Sequence, residues 1–268
     1  MNDDASRSPQ PARREWYRDA FGEFYPLVYA HRDDGDAERA IAMAVPYLGN
    51  GRILDLACGT GRHLRALARR RHGAVGLDLS PELLREAIAQ GTTAPLVRGD
   101  MRVLPFRSAT FGAVLSLFSS FGYFEAANDD LAVLREIRRV LSDRGRLVLD
   151  LANPYHARRR GESTTERVAG GYTVRESRRL VEDGRRVVKC VTIVDAAGSV
   201  ASEYLESLRL FEPGELDAHA AEAGLARLAW IGDYNGAAWQ SDSPRLIGVF
   251  EAPGAPHAGS SAQMEETR

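Results

Sequence analysis

Short apolar runs alternate with helix-like segments between residues 51 and 153, and this alternation constrains the fold more than any other feature. Each run has the length of a buried strand, and each following segment carries apolar residues at helical spacing. Such alternation predicts a parallel sheet with helices on both faces. The predicted strands are 52–57, 74–79, 95–99, 111–117 and 146–151, and the predicted helices are 62–70, 81–90 and 127–141.

The pattern changes after Asn153-Pro154. Three longer segments, 172–180, 185–194 and 200–211, have the composition of strands, and Glu182-Asp183-Gly184 between the first two is a hairpin signal. These segments predict a three-stranded antiparallel insertion after the fifth strand. A helix at 213–223 and two strands at 226–232 and 245–251 then complete a seven-stranded, mostly parallel sheet.

Length and composition fit one α/β domain with an insertion. The 268 residues divide into an N-terminal helical cap at 15–50, a core at 51–153, the insertion at 154–212 and the end of the sheet at 213–252. Residues 1–14 and 253–268 are polar, and we expect them to be disordered.

Charge and cysteine content narrow the function classes. The net charge of −2 gives no general attraction to nucleic acid or to an anionic membrane. We find neither a membrane-spanning apolar stretch nor a secretory signal. Cys58 and Cys190 suggest neither a disulfide nor a metal site, which fits a cytoplasmic location.

The first predicted strand ends in a glycine-rich turn that runs from Asp55 through Ala57 and Gly59 to Gly61. Glycine has no Cβ, so a ligand can approach the backbone closely at such a turn. A dinucleotide fingerprint requires a third glycine where this chain has Leu64, which disfavours hydride transfer. Alone, the turn indicates only a nucleotide-like ligand.

Carboxylates follow the next two strands. Asp78 ends the second strand and can accept both hydroxyls of a ribose. Alternatively it caps the next helix, although Ser80 is better placed for that role. Asp100, after the third strand, can accept an adenine amino group while its neighbour Met101 packs on the ring.

These sites at the ends of three successive strands resemble the class I S-adenosylmethionine-dependent methyltransferases, over about residues 16 to 252. The resemblance implies a Rossmann-like fold, S-adenosylmethionine (SAM) as cofactor and S-adenosylhomocysteine as product. The cofactor-binding residues that we predict in the core are Asp55, Ala57, Gly59, Gly61, Asp78, Leu79, Asp100, Met101 and Leu117. Arg62 and His63 either touch the cofactor or belong to the surface of their helix.

Two further segments resemble small-molecule N-methyltransferases of amino-sugar and lincosamide biosynthesis: residues 118–123 and the aromatic segment 17–29. Tyr17 and Tyr25 are eight residues apart, so a continuous helix would place them one above the other. The resemblance implies that Tyr17 faces the acceptor and that Tyr25 contacts SAM. Glycine N-methyltransferases have an arginine after a similar aromatic helix that pairs with the SAM carboxylate, and this resemblance implies the same role for Arg32. In these enzymes the insertion also roofs the site and often mediates oligomerisation, which implies a possible homodimer or higher homo-oligomer.

The catalytic candidates are Tyr17 and Tyr123, which would orient the acceptor. The predicted substrate contacts are Tyr17, Phe121, Tyr123, Tyr234 and Trp239. The amino-sugar enzymes have a histidine at the position of Tyr123, and a tyrosine is a poor base at neutral pH.

We therefore expect methyl transfer by in-line displacement to a nitrogen or oxygen of a small secondary-metabolite acceptor, with no nucleic acid or membrane partner. The alternatives are a methyltransferase fold that uses SAM for another reaction such as cyclisation, a non-catalytic binding subunit, and an RNA methyltransferase.

Overall fold

The computed structural model describes residues 15–30 and 33–254. Its central sheet has seven strands in the order β10-β11-β5-β4-β1-β2-β3. Strands β1 to β5 are parallel, and β11 pairs antiparallel with both β5 and β10. The predicted seven-stranded, mostly parallel sheet is thus confirmed. The strands are β1 (Ile53–Leu56), β2 (Ala74–Asp78), β3 (Leu96–Arg98), β4 (Phe111–Ser116), β5 (Leu141–Ala152), β10 (Ala226–Ile231) and β11 (Arg245–Glu251).

Helices cover both faces of this sheet because its strands are apolar on both sides. On β1, Ile53 belongs to a core with Ile41 and Leu67, whereas its neighbour Leu54 belongs to a second core with Ile137. Successive side chains of a strand point to opposite faces, so one strand contributes to two cores. The helices are α3 (Asp34–Ala44), α4 (Arg62–Arg69), α5 (Pro81–Ala89), α6 (Ala127–Val140), α7 (Pro154–Arg160) and α8 (Pro213–Glu222). Within the described ranges, no helix combines the length and apolar character needed to cross a membrane.

The insertion forms a second, antiparallel sheet with four strands, so the prediction of three strands was one short. The strands are β6 (Ser163–Ala169), β7 (Tyr172–Val181), β8 (Arg186–Val194) and β9 (Val200–Arg209), in that order across the sheet. The missed strand β6 is an edge strand made largely of polar residues, and it follows the arginine-rich α7. Its polar sequence lacks the apolar signal that identified the other three strands.

The N-terminal segment is not the continuous helix that its aromatic spacing suggested. It forms two single-turn helices, α1 (Tyr17–Ala20) and α2 (Tyr25–Val28), and the chain turns between them. The stacking of Tyr17 above Tyr25 on one helix is therefore wrong. The predicted disorder at 1–14 and over most of 253–268 lies outside the described residues.

Candidate functional site

A cavity of about 490 Å³ lies at the carboxyl ends of β1 to β4. The connections from β1 and β4 leave in opposite directions across the sheet, and ligands of open α/β sheets bind at such a point. Predicted site residues on the cavity wall are Tyr17, Tyr25, Ala57, Gly59, Asp78, Leu79, Asp100, Met101, Leu117 and Tyr123.

The glycine turn uses positive φ angles at Ala57, Gly59 and Gly61, with values of 60°, 54° and 74°. Gly59 lies on the cavity wall, and a Cβ built on it would meet nothing within 4 Å. Gly61 lies off the cavity wall, where a Cβ would come 2.3 Å from the Thr92 hydroxyl oxygen. The first glycine therefore leaves open space beside the cavity, while the second allows α4 to pack closely on the chain after α5.

Asp78 ties the glycine turn to the end of β2. One carboxylate oxygen accepts the Gly59 amide at 2.8 Å, and the other accepts the Ser80 amide at 2.9 Å. Burial raises the pKa of Asp78, and these amide bonds oppose that rise. The Ser80 hydroxyl accepts the Leu83 amide and caps α5. Asp78 therefore keeps lone pairs for a ligand in the cavity, because it is not the helix cap.

A buried acid and a buried histidine lie below the turn. Asp55 is 1% exposed, and its carboxylate oxygens and the Nε2 of His63 have no hydrogen-bond partner in the described part of the chain. His63 Nδ1 lies 3.8 Å from Asp55 Oδ1. Burial raises the pKa of Asp55 to about 8, and burial lowers the pKa of His63 well below its usual value. Unpartnered buried polar groups are costly, so this end of the cavity suits a polar ligand.

Asp100 forms a bidentate ion pair with Arg102, a residue that the sequence analysis missed. The Arg102 guanidinium donates at 2.7 Å to Asp100 Oδ2, and the Arg102 amide donates at 2.9 Å to Oδ1. Although burial opposes it, the Arg102 hydrogen bonds hold the pKa of Asp100 below its usual value. Arg102 also donates to the Tyr17 hydroxyl at 3.4 Å. Asp100 is thus an oriented, ionised acceptor next to one of the predicted catalytic tyrosines.

The chain leaves β4 through a strained turn. Phe118 and Ser119 have φ values of 59° and 64°, a region that costs a residue with a Cβ roughly 1–2 kcal/mol. Asp150, fully buried at the end of β5, accepts the Phe118 amide on its carboxylate at 2.8 Å and the Ser119 amide on its backbone carbonyl at 2.9 Å. These two bonds hold the turn in place, and sequence reasoning gave Asp150 no role.

Two more side chains bind the Asp150 carboxylate. The Tyr234 hydroxyl donates at 2.6 Å, and Arg245 donates from Nε at 2.7 Å. The Tyr234 ring then packs on Phe118 with centroids 5.5 Å apart, while Arg62 lies 4.0 Å from the Phe118 ring centroid on the cavity side. This network fixes the part of the wall that Phe118 forms.

The N-terminal segment and residues after β4 together form an aromatic wall, which we define as Tyr17, Phe21, Tyr25, Tyr123 and Phe124. Phe21 packs on Tyr123 and on Tyr25 with centroids 5.5 Å apart, and Tyr17 packs on Phe124 at 5.6 Å. Burial raises the pKa of Tyr17, so its hydroxyl stays protonated at neutral pH.

Several predicted site residues lie elsewhere. Phe121 is 1% exposed and packs on Phe211, away from the cavity wall. Tyr234 also lies off the wall, since its hydroxyl is held by Asp150, and Trp239 packs near Tyr155. Arg32 is outside the described residues.

A sequence profile described as a methyltransferase domain matches residues 53–145, which span the glycine turn, Asp78 and Asp100. This chain contains a methyltransferase domain. The SAM-bound structure of CalS10, an amino pentose methyltransferase from Micromonospora echinaspora, is 25% identical with a TM-score of 0.63 and covers 84% of this chain and 94% of its own. The CcbJ methyltransferase from Streptomyces caelestis has a TM-score of 0.76 at 18% identity and covers 88% and 99%, which supports the fold.

Among curated proteins, the dTDP-3-amino-3,6-dideoxy-alpha-D-glucopyranose N,N-dimethyltransferase of Streptomyces fradiae is 35% identical over 134 residues, 47% of this chain and 51% of its own length. The chain spans about half the length of the curated relatives that it matches.

SAM is the cofactor of this domain, and the cavity residues fit it. Asp78 offers acceptors for a ribose, and Asp100 offers an oriented acceptor beside Met101 for an adenine. His63 lines the polar end of the cavity, while Asp55 is buried behind it and lies off the cavity wall. The open space at Gly59 leaves room for the ligand to pass the turn.

Proposed function

We propose that this protein transfers the methyl group of SAM to a nitrogen atom of a small-molecule acceptor. One observation carries the proposal: a single cavity joins Asp78 and the glycine turn to the aromatic wall. Cofactor-recognising groups and a surface for an acceptor therefore share one enclosed space.

In this proposal each group on the cofactor side has one task. Asp78 accepts the ribose hydroxyls, and Asp100, oriented by Arg102, accepts the adenine amino group. His63 meets the amino-acid end of the cofactor, with the buried Asp55 behind it. Arg62 lines the same end of the cavity and adds positive charge there.

The aromatic wall favours an amine over an alcohol. When bound, SAM supplies a methyl group on a positively charged sulfonium. Aromatic faces stabilise positive charge, so the wall suits a reaction whose product is also a cation, a methylated ammonium. The hydroxyls of Tyr17 and Tyr123 orient the acceptor, and the enclosed wall excludes water and positions the two reactants.

Among the residues that the structure describes, the five aromatic side chains of this wall include no good base, which supports the same choice. An alcohol must lose its proton before or during attack, whereas a neutral amine already presents a lone pair. The raised pKa of Tyr17 makes that residue a poor base. Within the described residues, His63 is the histidine on the cavity wall, and it is stacked on Phe118 at the end of the glycine turn.

The names of the similar proteins point to an amino sugar of secondary metabolism as the acceptor. The matched residues 53–145 hold the groups assigned to the cofactor, so this part of the proposal rests on the aromatic wall and on the structural similarity to CalS10 over 84% of this chain. A homo-oligomer formed through the insertion stays a prediction.

Methyl transfer from isotope-labelled SAM to a matched pair of acceptors tests the proposal. A nucleotide-linked amino sugar should gain label, and the same sugar with a hydroxyl in place of the amine should not. Tyr17→Phe and Tyr123→Phe should lower turnover, while Tyr47→Phe, which lies off the cavity wall, should leave it unchanged. Equal labelling of the hydroxyl analogue, or no labelling of any amine, would overturn the proposal.

A further inference from the structure

The chain contains a single lysine among its 35 lysine and arginine residues, and this residue, Lys189, is largely buried. It lies on β8, where its ammonium donates to Glu176 Oε1 on β7 at 3.3 Å and lies 3.1 Å from Glu206 Oε2 on β9. It also donates to the hydroxyl of Tyr29 and lies 4.3 Å from the centroid of that ring. We refer to Lys189, Glu176, Glu206 and Tyr29 as the lysine cluster.

The groups of the lysine cluster share hydrogen-bond partners, so the loss of one group would affect the others. The Tyr29 hydroxyl donates to Glu206 at 2.5 Å, so Glu206 binds both the ammonium and the phenol. Hydrogen bonds to charged groups are stronger than those between neutral groups, and partial burial protects them from solvent screening. Loss of the ammonium would leave Glu206 and Glu176 on the same face of the sheet, with Arg167 near Glu176 as the remaining cation.

The lysine cluster joins the N-terminal segment to the antiparallel sheet of the insertion. Tyr29 packs on Tyr25 with ring centroids 4.8 Å apart, and both residues line the cavity. Two further contacts join the same segment to the same sheet. Arg167 donates to the Val28 carbonyl, and Phe24 packs on Tyr172 with ring centroids 5.4 Å apart. The segment thus presents one side to the cavity and the other to the four-stranded sheet.

We propose that Lys189 and Glu206 are positioning residues for cofactor binding: from outside the cavity they fix Tyr29, and through it Tyr25, in the cavity wall. This inference rests on the proposed function. A lysine suits the position because its compact ammonium directs three donors to oxygens of three different residues, whereas the planar guanidinium of arginine matches two oxygens of one group.

Calorimetry with S-adenosylhomocysteine tests the proposal on Lys189→Met, which keeps the length of the side chain and removes its charge. We expect affinity to fall about tenfold, which corresponds to about 1.4 kcal/mol. The matched control is Arg175→Met, which breaks an exposed ion pair with Glu166 in the same sheet. A folded Lys189→Met variant with the affinity of the wild type would overturn the proposal. If that variant does not fold, Glu206→Gln carries the same prediction.

A second measurement distinguishes a failure of this positioning role from a failure of the proposed function. Without any ligand, the backbone amides of Tyr25 and of residues 27–30 should exchange with solvent faster in Lys189→Met than in the wild type, while those of β1 should not change. Unchanged exchange at Tyr25 and 27–30 would overturn the positioning role. A wild type that binds no S-adenosylhomocysteine would instead overturn the proposed function, and the exchange result would still decide the role of Lys189.

The acetylation rate of the single lysine provides a further test, because ligand binding would not change this rate if Lys189 had only a structural role. Coupling is reciprocal, so if the lysine cluster favours cofactor binding, the bound ligand must stabilise the cluster by the same free energy. S-adenosylhomocysteine should therefore slow acetylation of Lys189, the one lysine amine in the chain, as measured by mass spectrometry. An acetylation rate that saturating ligand leaves unchanged would contradict the proposal.

Discussion

Replacing Asp78 with asparagine should weaken both the fold and cofactor binding, each by about one charge-assisted hydrogen bond. The carboxylate accepts two amides, from Gly59 at 2.8 Å and from Ser80 at 2.9 Å. An asparagine keeps one acceptor oxygen and places its NH₂ against the other amide, so one bond is lost. A hydrogen bond to a charged group contributes about 1.5–3 kcal/mol, and we expect a loss of folding stability of that size.

In Asp78→Asn the bound cofactor should lose a further hydrogen bond, one between its ribose and the side chain of residue 78. A carboxylate can accept both ribose hydroxyls, whereas an amide oxygen is shared between one hydroxyl and a backbone amide. Loss of a second charge-assisted bond of about 1.5–3 kcal/mol should weaken S-adenosylhomocysteine binding by about 10- to 150-fold.

Calorimetry of the wild type and Asp78→Asn measures this change, and denaturant unfolding measures stability. Asp195→Asn is the control for the loss of an amide-binding carboxylate away from the cavity: Asp195 accepts the Ala197 and Ser199 amides at 2.9 Å, both on Oδ1. Asp195→Asn should bind the ligand like the wild type. A folded Asp78→Asn variant with wild-type affinity would refute the reasoning.

Three further predictions concern the groups around the cavity. Tyr234→Phe leaves a buried acceptor without its hydroxyl donor, so stability should fall by about 1–3 kcal/mol and the Phe118 amide should exchange faster; unchanged exchange would show that the turn does not need this bond. Because burial raises the pKa of Asp55 to about 8, the folded chain holds a proton that the unfolded chain releases, and stability should fall as pH rises from about 4 to about 8. Asp55→Asn should flatten that slope in denaturant unfolding at several pH values, and parallel profiles would contradict it. Gly61→Ala should destabilise the fold by more than Gly91→Ala, because both have positive φ but only the first places a Cβ against Thr92; equal unfolding midpoints would contradict the packing argument.

The sheet could be predicted from the sequence because its central strands, β1, β2 and β4, are buried on both faces and alternate with helices of regular length. The same reasoning missed β6, whose polar residues form an edge, and α7, whose arginine-rich sequence resembles a loop. The aromatic segment 17–29 has helical spacing, yet its residues pack in two directions, onto the cavity and onto the insertion. Two short helices satisfy both contacts better than one straight helix.

That Gly59, Asp78 and Asp100 share one cavity could be predicted, because they follow strand ends and neighbouring parallel strands end at the same edge of a sheet. Asp150, Arg102 and Lys189 were not predictable in this way. Each acts through a contact between residues distant in sequence or through another side chain, and no local pattern marks such contacts. Tyr234 was expected to touch the acceptor, but its hydroxyl is held by Asp150 instead.

A crystal structure of the chain with S-adenosylhomocysteine tests the central claim most directly. We predict the ribose hydroxyls on Asp78, the adenine beside Asp100 and Met101, and the sulfur facing the aromatic wall at Tyr17 and Tyr123. A ligand bound elsewhere, or with its sulfur turned away from that wall, would contradict the account.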